Sequence, residues 1–77
     1  MNSVTNGLQA VAKRIVNAEN NFIAGVMERG FTLAEATKVL REYRKLKVVK
    51  LDAVNGVYNV KHGAYLDKDV LQKAVEL

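Results

Sequence analysis

Half of the basic side chains in this 77-residue sequence fall within one stretch of 13 residues, 38–50. The stretch holds six lysines and arginines and one acid, Glu42, so its net charge is +5, whereas the remaining 64 residues carry −1. Clustered lysines and arginines bind phosphate groups, and a basic segment in a near-neutral chain indicates a polyanionic partner. A basic helix face is often merely solvated. The position of the charge within the fold must therefore decide between a solvated surface and a binding site for a polyanion.

Few other side chains are suited to catalysis or metal binding. His62 is the single histidine and cysteine is absent, which excludes thiolate metal sites and leaves a general base without an evident partner. We expect His62 to be half-buried near the end of a hairpin. Asp67 and Asp69 fit a helix cap and a first-turn acid better than a catalytic pair. The sequence therefore predicts no enzyme, no metal, no cofactor and no small-molecule substrate.

The composition, 49% hydrophobic and 26% charged, is that of one globular domain spanning residues 1–77. No apolar run approaches the roughly 18 residues that cross a bilayer, and residues 1–7 lack the pattern of a secretory signal. We therefore expect a cytoplasmic protein with no membrane contact. A core this small without disulfides gives only marginal stability unless the protein self-associates, so a homodimer is possible.

Two helices are predicted before residue 31. The first covers residues 7–16, is capped by Ser3 or Thr5 and ends near Asn17. Its apolar face consists of Leu8, Val11, Ala12, Ile15 and Val16. The second covers about 19–29, with Phe22, Ile23, Val26 and Met27 apolar. Gly30 is a natural left-handed stop, and Phe31 can fold back onto that cap.

The basic stretch belongs to a third helix, which follows after a tight, glycine-containing turn typical of helix-turn-helix motifs. Thr32 and Glu35 form a capping box at its start, and it runs to about Leu46. At about 100° per residue, one arc faces a core and consists of Leu33, Ala36, Val39, Leu40, Tyr43 and Leu46. The opposite, exposed arc consists of Ala34, Thr37, Lys38, Arg41, Arg44 and Lys45.

After Leu46 the apolar residues alternate, which predicts a β-hairpin around Asn55-Gly56 as a two-residue type I′ turn. The predicted pairs are Val54–Val57, Ala53–Tyr58, Asp52–Asn59, Leu51–Val60, Lys50–Lys61 and Val49–His62. A last helix over residues 68–76 is capped by Asp67, and its apolar residues are Val70, Leu71, Ala74 and Val75.

The run of residues 32–51, followed by Gly56-Val-Tyr-Asn-Val, resembles the winged helix-turn-helix superfamily over about residues 19–60. The resemblance implies a mainly helical α+β fold. Its helix-turn-helix would cover about 19–46, its wing about 47–62 and its C-terminal helix about 67–77. It also implies sequence-specific binding to double-stranded DNA, as in the small regulators and accessory proteins of phages and plasmids.

The same resemblance assigns site residues. Those facing the groove would be Ala34, Thr37, Lys38 and Arg41, and those contacting the DNA backbone would be Arg44, Lys45 and Lys47. The wing tip at Asn55 would lie near the adjacent minor groove or phosphates. This tip carries no cation of its own, and the nearest are Lys50 and Lys61.

Two further interpretations remain open. Winged helices also serve as protein-interaction modules, and Val48, Val54 and Val57 form an apolar set on the outer side of the predicted wing. This set either forms an interface or packs under the first or the last helix. The last helix is apolar around much of its circumference. It suits either a dimer interface formed by Val70, Leu71, Ala74 and Val75 or ordinary packing on the domain.

Overall fold

A computed structural model describes the backbone of residues 3–77 and the side chains of residues 12–77. Its first element, α1 (Ser3–Glu28), is one unbroken helix of 26 residues. The prediction of two separate helices with a break near Asn17 is therefore wrong. The side chains of Ser3, Thr5, Leu8 and Val11, predicted to cap and line the first of them, lie outside the described residues.

The continuity of α1 has a physical reason in its apolar stripe. Ala18 follows Ile15 by three residues, and Phe22 and Val26 extend the stripe at intervals of four. All three of these later residues are buried. Asparagines near this point weaken helix propensity, but the burial of a continuous apolar face outweighs that small cost.

A tight turn joins α1 to α2 (Leu33–Leu46). Gly30 has φ +98° and its N–H donates to the carbonyl of Met27, and Phe31 is buried behind it, as predicted. The capping box is confirmed. The Glu35 N–H donates to Oγ1 of Thr32 at 3.1 Å, and the Thr32 N–H donates to Oε1 of Glu35 at 2.9 Å.

The core face of α2 is confirmed in its middle and wrong at its ends. Ala36, Val39, Leu40 and Tyr43 are buried, whereas Leu33 and Leu46 are 59% and 58% exposed. These two leucines are the first and last residues of the helix, so they lie beyond the elements that cover its middle. Beyond Leu46, Lys47 ends the helix in a left-handed conformation with φ 58°, which the sequence did not reveal.

Strands β1 (Val49–Asp52) and β2 (Val57–Val60) form the antiparallel hairpin, but in a different register from the prediction. The observed pairs are Val49–Val60, Lys50–Asn59, Leu51–Tyr58 and Asp52–Val57. Every predicted pair is therefore wrong by two residues: Val54–Val57, Ala53–Tyr58, Asp52–Asn59, Leu51–Val60, Lys50–Lys61 and Val49–His62. Because the shift is even, each residue keeps its predicted face.

The turn chemistry explains the shift. A type I′ turn needs positive φ at both central residues, but only Gly56 has it, at 66°. The Asp52 carboxylate instead accepts the N–H groups of Val54 and Asn55, and the Asp52 carbonyl accepts the Gly56 N–H. These bonds close a four-residue loop, 53–56. Hydrogen bonds from Asn55, its side chain first, lower the pKa of the Asp52 carboxyl.

A single 3₁₀ turn (Gly63–Leu66) leads into α3 (Lys68–Val75), which confirms the predicted last helix to within one residue. Asp67 stands at the N-cap as predicted, but its side chain makes no capping hydrogen bond. Helix α3 packs Leu71 and Ala74 into a core that it shares with α1 and α2.

Aromatic side chains hold this core together. The Phe22 ring makes edge-on contacts with Tyr43 and Tyr58, and Tyr43 makes one with Tyr65. The Tyr43 hydroxyl donates to the carbonyl of Tyr65 at 2.5 Å. Burial, together with the nearby Tyr65, raises the pKa of Tyr43 to about 12.

Over residues 3–77 the fold is therefore mainly helical α+β, with three α-helices and one two-stranded hairpin. In this described part, no helix has both the length and the apolar character needed to cross a membrane.

Candidate functional site

The exposed face of α2 carries four of the predicted site residues. Ala34, Thr37, Arg41 and Lys45 are all exposed and follow one another at intervals of three or four, so they form one row along the helix. Lys45 approaches Glu42 at 3.4 Å in an exposed ion pair, which is worth little. Among the side chains of residues 12–77, Arg41 forms no hydrogen bond or ion pair. Its guanidinium is therefore not held by any of these side chains.

Lys38 occupies a different environment. Its side chain is half-buried, and Nζ donates to the backbone carbonyl of Val75 at 2.7 Å. A cation on the last turn of a helix satisfies an unpaired carbonyl and complements the helix dipole. Lys38 thus caps α3 and lies at the border of the exposed row, not at its centre.

Arg44 is also engaged within the domain. Its Nη2 donates to Oε1 of Glu19 at 2.8 Å, and both Nε and Nη2 donate to the Tyr58 hydroxyl, Nε at 3.1 Å. The guanidinium lies 5.3 Å from the centre of the Tyr58 ring. The hydrogen bond to Tyr58 raises the pKa of Arg44, and Glu19 adds to the rise. Arg44 therefore joins α2 to α1 and to β2.

Three lysines beyond α2 gather around one depression. Lys47, Lys50 and Lys61 line an open depression of about 320 Å³, and its other lining residues are Val48, Val49, Val60 and Asn59. The N–H of Lys61 donates to the carbonyl of Val48 at 2.7 Å and so extends the hairpin by one pair. All three lysines are exposed, and Lys47 directly follows α2. The basic surface of the helix therefore continues onto the hairpin.

The hairpin turn rests on α1. Gly56 is buried, its carbonyl accepts a hydrogen bond from Nδ2 of Asn21 at 3.2 Å, and its α-carbon faces the backbone of Arg14. Asn55 is exposed, but its amide donates to Oδ2 of Asp52 at 2.7 Å. The turn is thus anchored on the domain, and Asn55 serves first to close the loop.

The apolar residues predicted for partner surfaces divide into two groups. Leu71 and Ala74 are buried in the domain's own core and present no surface to a second copy, whereas Val70 and Val75 are half-buried. On the hairpin, Val48 is buried, which agrees with the alternative that it packs within the domain and removes it from an exposed interface. Val54 is 80% exposed and Val57 half-buried.

His62 differs from its prediction. It lies beyond β2, is exposed and has φ 61°, so it is neither paired in the hairpin nor half-buried. Within the described residues, no group of three or more histidine, aspartate or glutamate side chains could hold a metal ion.

Three residues of this surface were missed at the level of sequence. The exposure of Leu33 was detectable, because a capping box at Thr32 makes Leu33 the first helical residue. The strand partners of Asn59 and Tyr58 depend on the hairpin register, which the Asn55-Gly56 pair predicted wrongly.

Comparisons with protein-family models, with curated proteins and with solved structures found no match to this chain.

Proposed function

We propose that this protein binds double-stranded DNA as a winged helix-turn-helix protein, with α2 in the major groove and the hairpin on the adjacent backbone. The observation that carries the proposal is the continuity of positive charge from α2 to the hairpin. Arg41 and Lys45 on the helix lead to Lys47, Lys50 and Lys61 around the depression. A regulatory or accessory role at a specific sequence is the function that suits such a small domain.

The chemistry of the surface supports a phosphate-rich ligand. When exposed lysines neutralise phosphates, the counterions condensed on the nucleic acid are released, and this release strengthens binding at low salt. The depression lined by Lys47, Lys50 and Lys61 is open and not enclosed, so it suits a chain of phosphates passing across it better than a sequestered small molecule. The helical row beside it offers side chains that reach base edges.

Two of the predicted DNA-contacting cations take a supporting role in this proposal. Lys38 holds the end of α3, and Arg44 holds α2 against α1 and β2. Both interactions fix the orientation of the basic helix relative to the rest of the domain. Phosphate contacts then come from Arg41, Lys47, Lys50 and Lys61, and from Lys45, whose exposed ion pair with Glu42 is worth little.

The experiment compares two double variants of equal charge by fluorescence anisotropy with a duplex selected from a random library. Lys50→Gln/Lys61→Gln removes two cations from the depression, and Lys68→Gln/Lys73→Gln removes two exposed cations from α3. We expect the first to weaken binding about tenfold or more at moderate salt and the second to change it about twofold. Equal losses in the two variants would indicate only a general effect of net charge and would count against the proposed surface.

A protein partner is the second candidate, favoured by two apolar features. Val54 is 80% exposed at the hairpin turn, and Ala64, Tyr65 and Val70 line an apolar depression of about 290 Å³. Contiguous apolar patches mark interaction sites, whereas single exposed apolar residues are common on any protein surface, so a partner would have to cover both features together. In that case, binding to duplex DNA would be absent at every salt concentration.

A further inference from the structure

The first two turns of α2 present an unusual surface for a helix in a basic region. Leu33 is 59% exposed, and Ala34 and Thr37 are exposed beside it. Ala34 and Thr37 begin the exposed row that continues to Arg41 and Lys45. Leu33, four residues before Thr37, lies beside the start of this row. The beginning of the row is thus apolar, and its first cation comes two turns along.

The hydrogen-bond donors at this end of α2 are largely used within the helix. The hydroxyl of Thr37 donates to the Leu33 carbonyl at 2.8 Å, so Thr37 can offer a ligand only its methyl group and an accepting oxygen. The N–H groups of Glu35 and Ala36 are bonded to Thr32. Glu35 is half-buried, and its carboxylate accepts the Thr32 N–H. The exposed surface of Leu33, Ala34 and Thr37 therefore consists mainly of methyl and methylene groups.

Base pairs differ in the major groove by hydrogen-bonding groups and by the 5-methyl group of thymine. Arginine, asparagine and glutamine, which form bidentate hydrogen bonds to bases, are absent from the first two turns of α2. The lysine in these turns, Lys38, donates to the carbonyl of Val75. What Leu33, Ala34 and Thr37 can distinguish is an apolar group. The accepting oxygen of Thr37 is also compatible with the amino group of adenine, the partner of thymine.

Charge favours DNA over an apolar protein surface as the occupant of this row. Arg41 follows Thr37 at about 6 Å along the helix axis, and Lys45 and Lys47 lie beyond it. When DNA phosphates bind these cations, the apolar start of the row lies against the base pairs in the major groove.

We infer that the first two turns of α2 recognise thymine through its 5-methyl group, by contacts with Leu33, Ala34 and the Thr37 methyl. This inference rests on the proposed DNA binding and adds the feature of the base pair that is read. The preferred site contains thymines at positions that face the start of α2.

The test replaces thymine by deoxyuridine in the selected duplex, which removes only the 5-methyl groups. We expect the wild-type protein to bind the uracil duplex about three- to tenfold more weakly, as expected for the loss of one or two buried methyl contacts. The dependence of binding on salt should be the same for both duplexes, because no phosphate contact is lost.

Thr37→Ser and Leu33→Ala identify the protein side of the contact. Thr37→Ser keeps the hydroxyl that bonds to the Leu33 carbonyl and removes only the methyl group, so the helix is preserved. Each variant should bind the thymine duplex more weakly than wild type and should discriminate less between thymine and uracil. Lys73→Ala on α3 serves as the control and should discriminate as wild type does.

Three results would overturn the inference. Equal binding of the wild type to both duplexes overturns the reading of thymine while leaving DNA binding in place. Full discrimination in both Thr37→Ser and Leu33→Ala overturns its assignment to α2. A lack of salt-sensitive binding to either duplex overturns the proposed function and this inference with it.

Discussion

The guanidinium of Arg44 donates to the carboxylate of Glu19 at 2.8 Å, whereas Arg41, one turn earlier on the same helix, has no such partner among the side chains of residues 12–77. Two arginines of one helix thus have different environments. Arg44 links α2 to α1 and, through Tyr58, to the hairpin. The charge of Arg41 is not neutralised by any of the side chains of residues 12–77. This difference separates what holds the domain together from what would bind DNA.

The two arginines form a matched pair of tests. We expect Arg41→Gln to weaken duplex binding about tenfold and to leave the free energy of unfolding unchanged. Arg44→Gln should lower the free energy of unfolding by about 1 kcal/mol, since it loses an exposed ion pair and a cation–π contact, and should weaken binding less than Arg41→Gln does. Urea denaturation and anisotropy measure the two quantities. The reverse pattern, with Arg44 more important for binding, would contradict these assignments.

The capping box at the start of α2 should contribute measurably to stability. Thr32→Ala removes the hydroxyl that accepts the Glu35 N–H and should lower the free energy of unfolding by about 1 kcal/mol. Thr32→Ser retains that oxygen and should remain within about 0.5 kcal/mol of wild type. Urea denaturation of both variants is the measurement. Equal losses for alanine and serine would show that the hydroxyl is not the stabilising group.

Tyr43 should make stability depend on alkaline pH. Its pKa is raised to about 12 in the folded protein, against about 10 in an unfolded chain. The unfolded state therefore loses this proton first, and the stability that is present below pH 10 is lost as the pH rises toward 12.

Tyr43→Phe isolates that effect. At pH 7 the variant should be less stable than wild type by about 1 kcal/mol, because the Tyr65 carbonyl loses its donor. Between pH 10 and 12 wild type should lose about 1–3 kcal/mol of stability that the variant keeps, since only wild type then loses the tyrosine proton on unfolding. The difference should therefore fall to zero and then reverse its sign. Urea denaturation across this range measures it. A difference that stays constant with pH would contradict the raised pKa.

Gly56 and Gly63 offer a further matched comparison. Gly56 has φ +66°, and an added Cβ would lie 3.6 Å from the carbonyl oxygen of Arg14. Gly56→Ala should therefore cost about 1 kcal/mol or more of the free energy of unfolding, mainly through backbone strain. An added Cβ at Gly63 has no heavy atom of another residue within 4 Å and no positive φ. Gly63→Ala should be close to neutral, and equal effects in thermal denaturation would argue against the observed turn.

The sequence predicted the features of this fold that rest on local chemistry. The Thr32–Glu35 capping box, the Gly30 stop and the α+β class all followed from residue types and spacing. The hairpin register did not, because Asn55-Gly56 also fits a longer loop in which Asp52 supplies its side chain to the turn. The continuity of α1 was missed because asparagines at 17 and 20–21 resemble a helix end when the packing of Ala18 is unknown.

The candidate site was predictable in its charge but not in its contacts. Lysines and arginines between residues 38 and 50 were evident from the sequence. Their internal partners depend on tertiary structure. The carbonyl that Lys38 caps is 37 residues away, and the carboxylate that holds Arg44 is 25 residues away. A helical projection of α2 does not show contacts with residues so distant in the sequence. Only the structure therefore distinguishes Arg41 from Lys38 and Arg44, which are bonded within the domain.

The central claim is duplex DNA binding, and the dependence of wild-type affinity on salt tests it most directly. Five cations, Arg41, Lys45, Lys47, Lys50 and Lys61, are exposed on the proposed surface. Each phosphate contact contributes about −0.9 to the slope of log K against log salt, so the slope between 50 and 200 mM salt should lie between about −3 and −4.5. A flat dependence, or no binding to any duplex at 50 mM salt, would contradict the proposal.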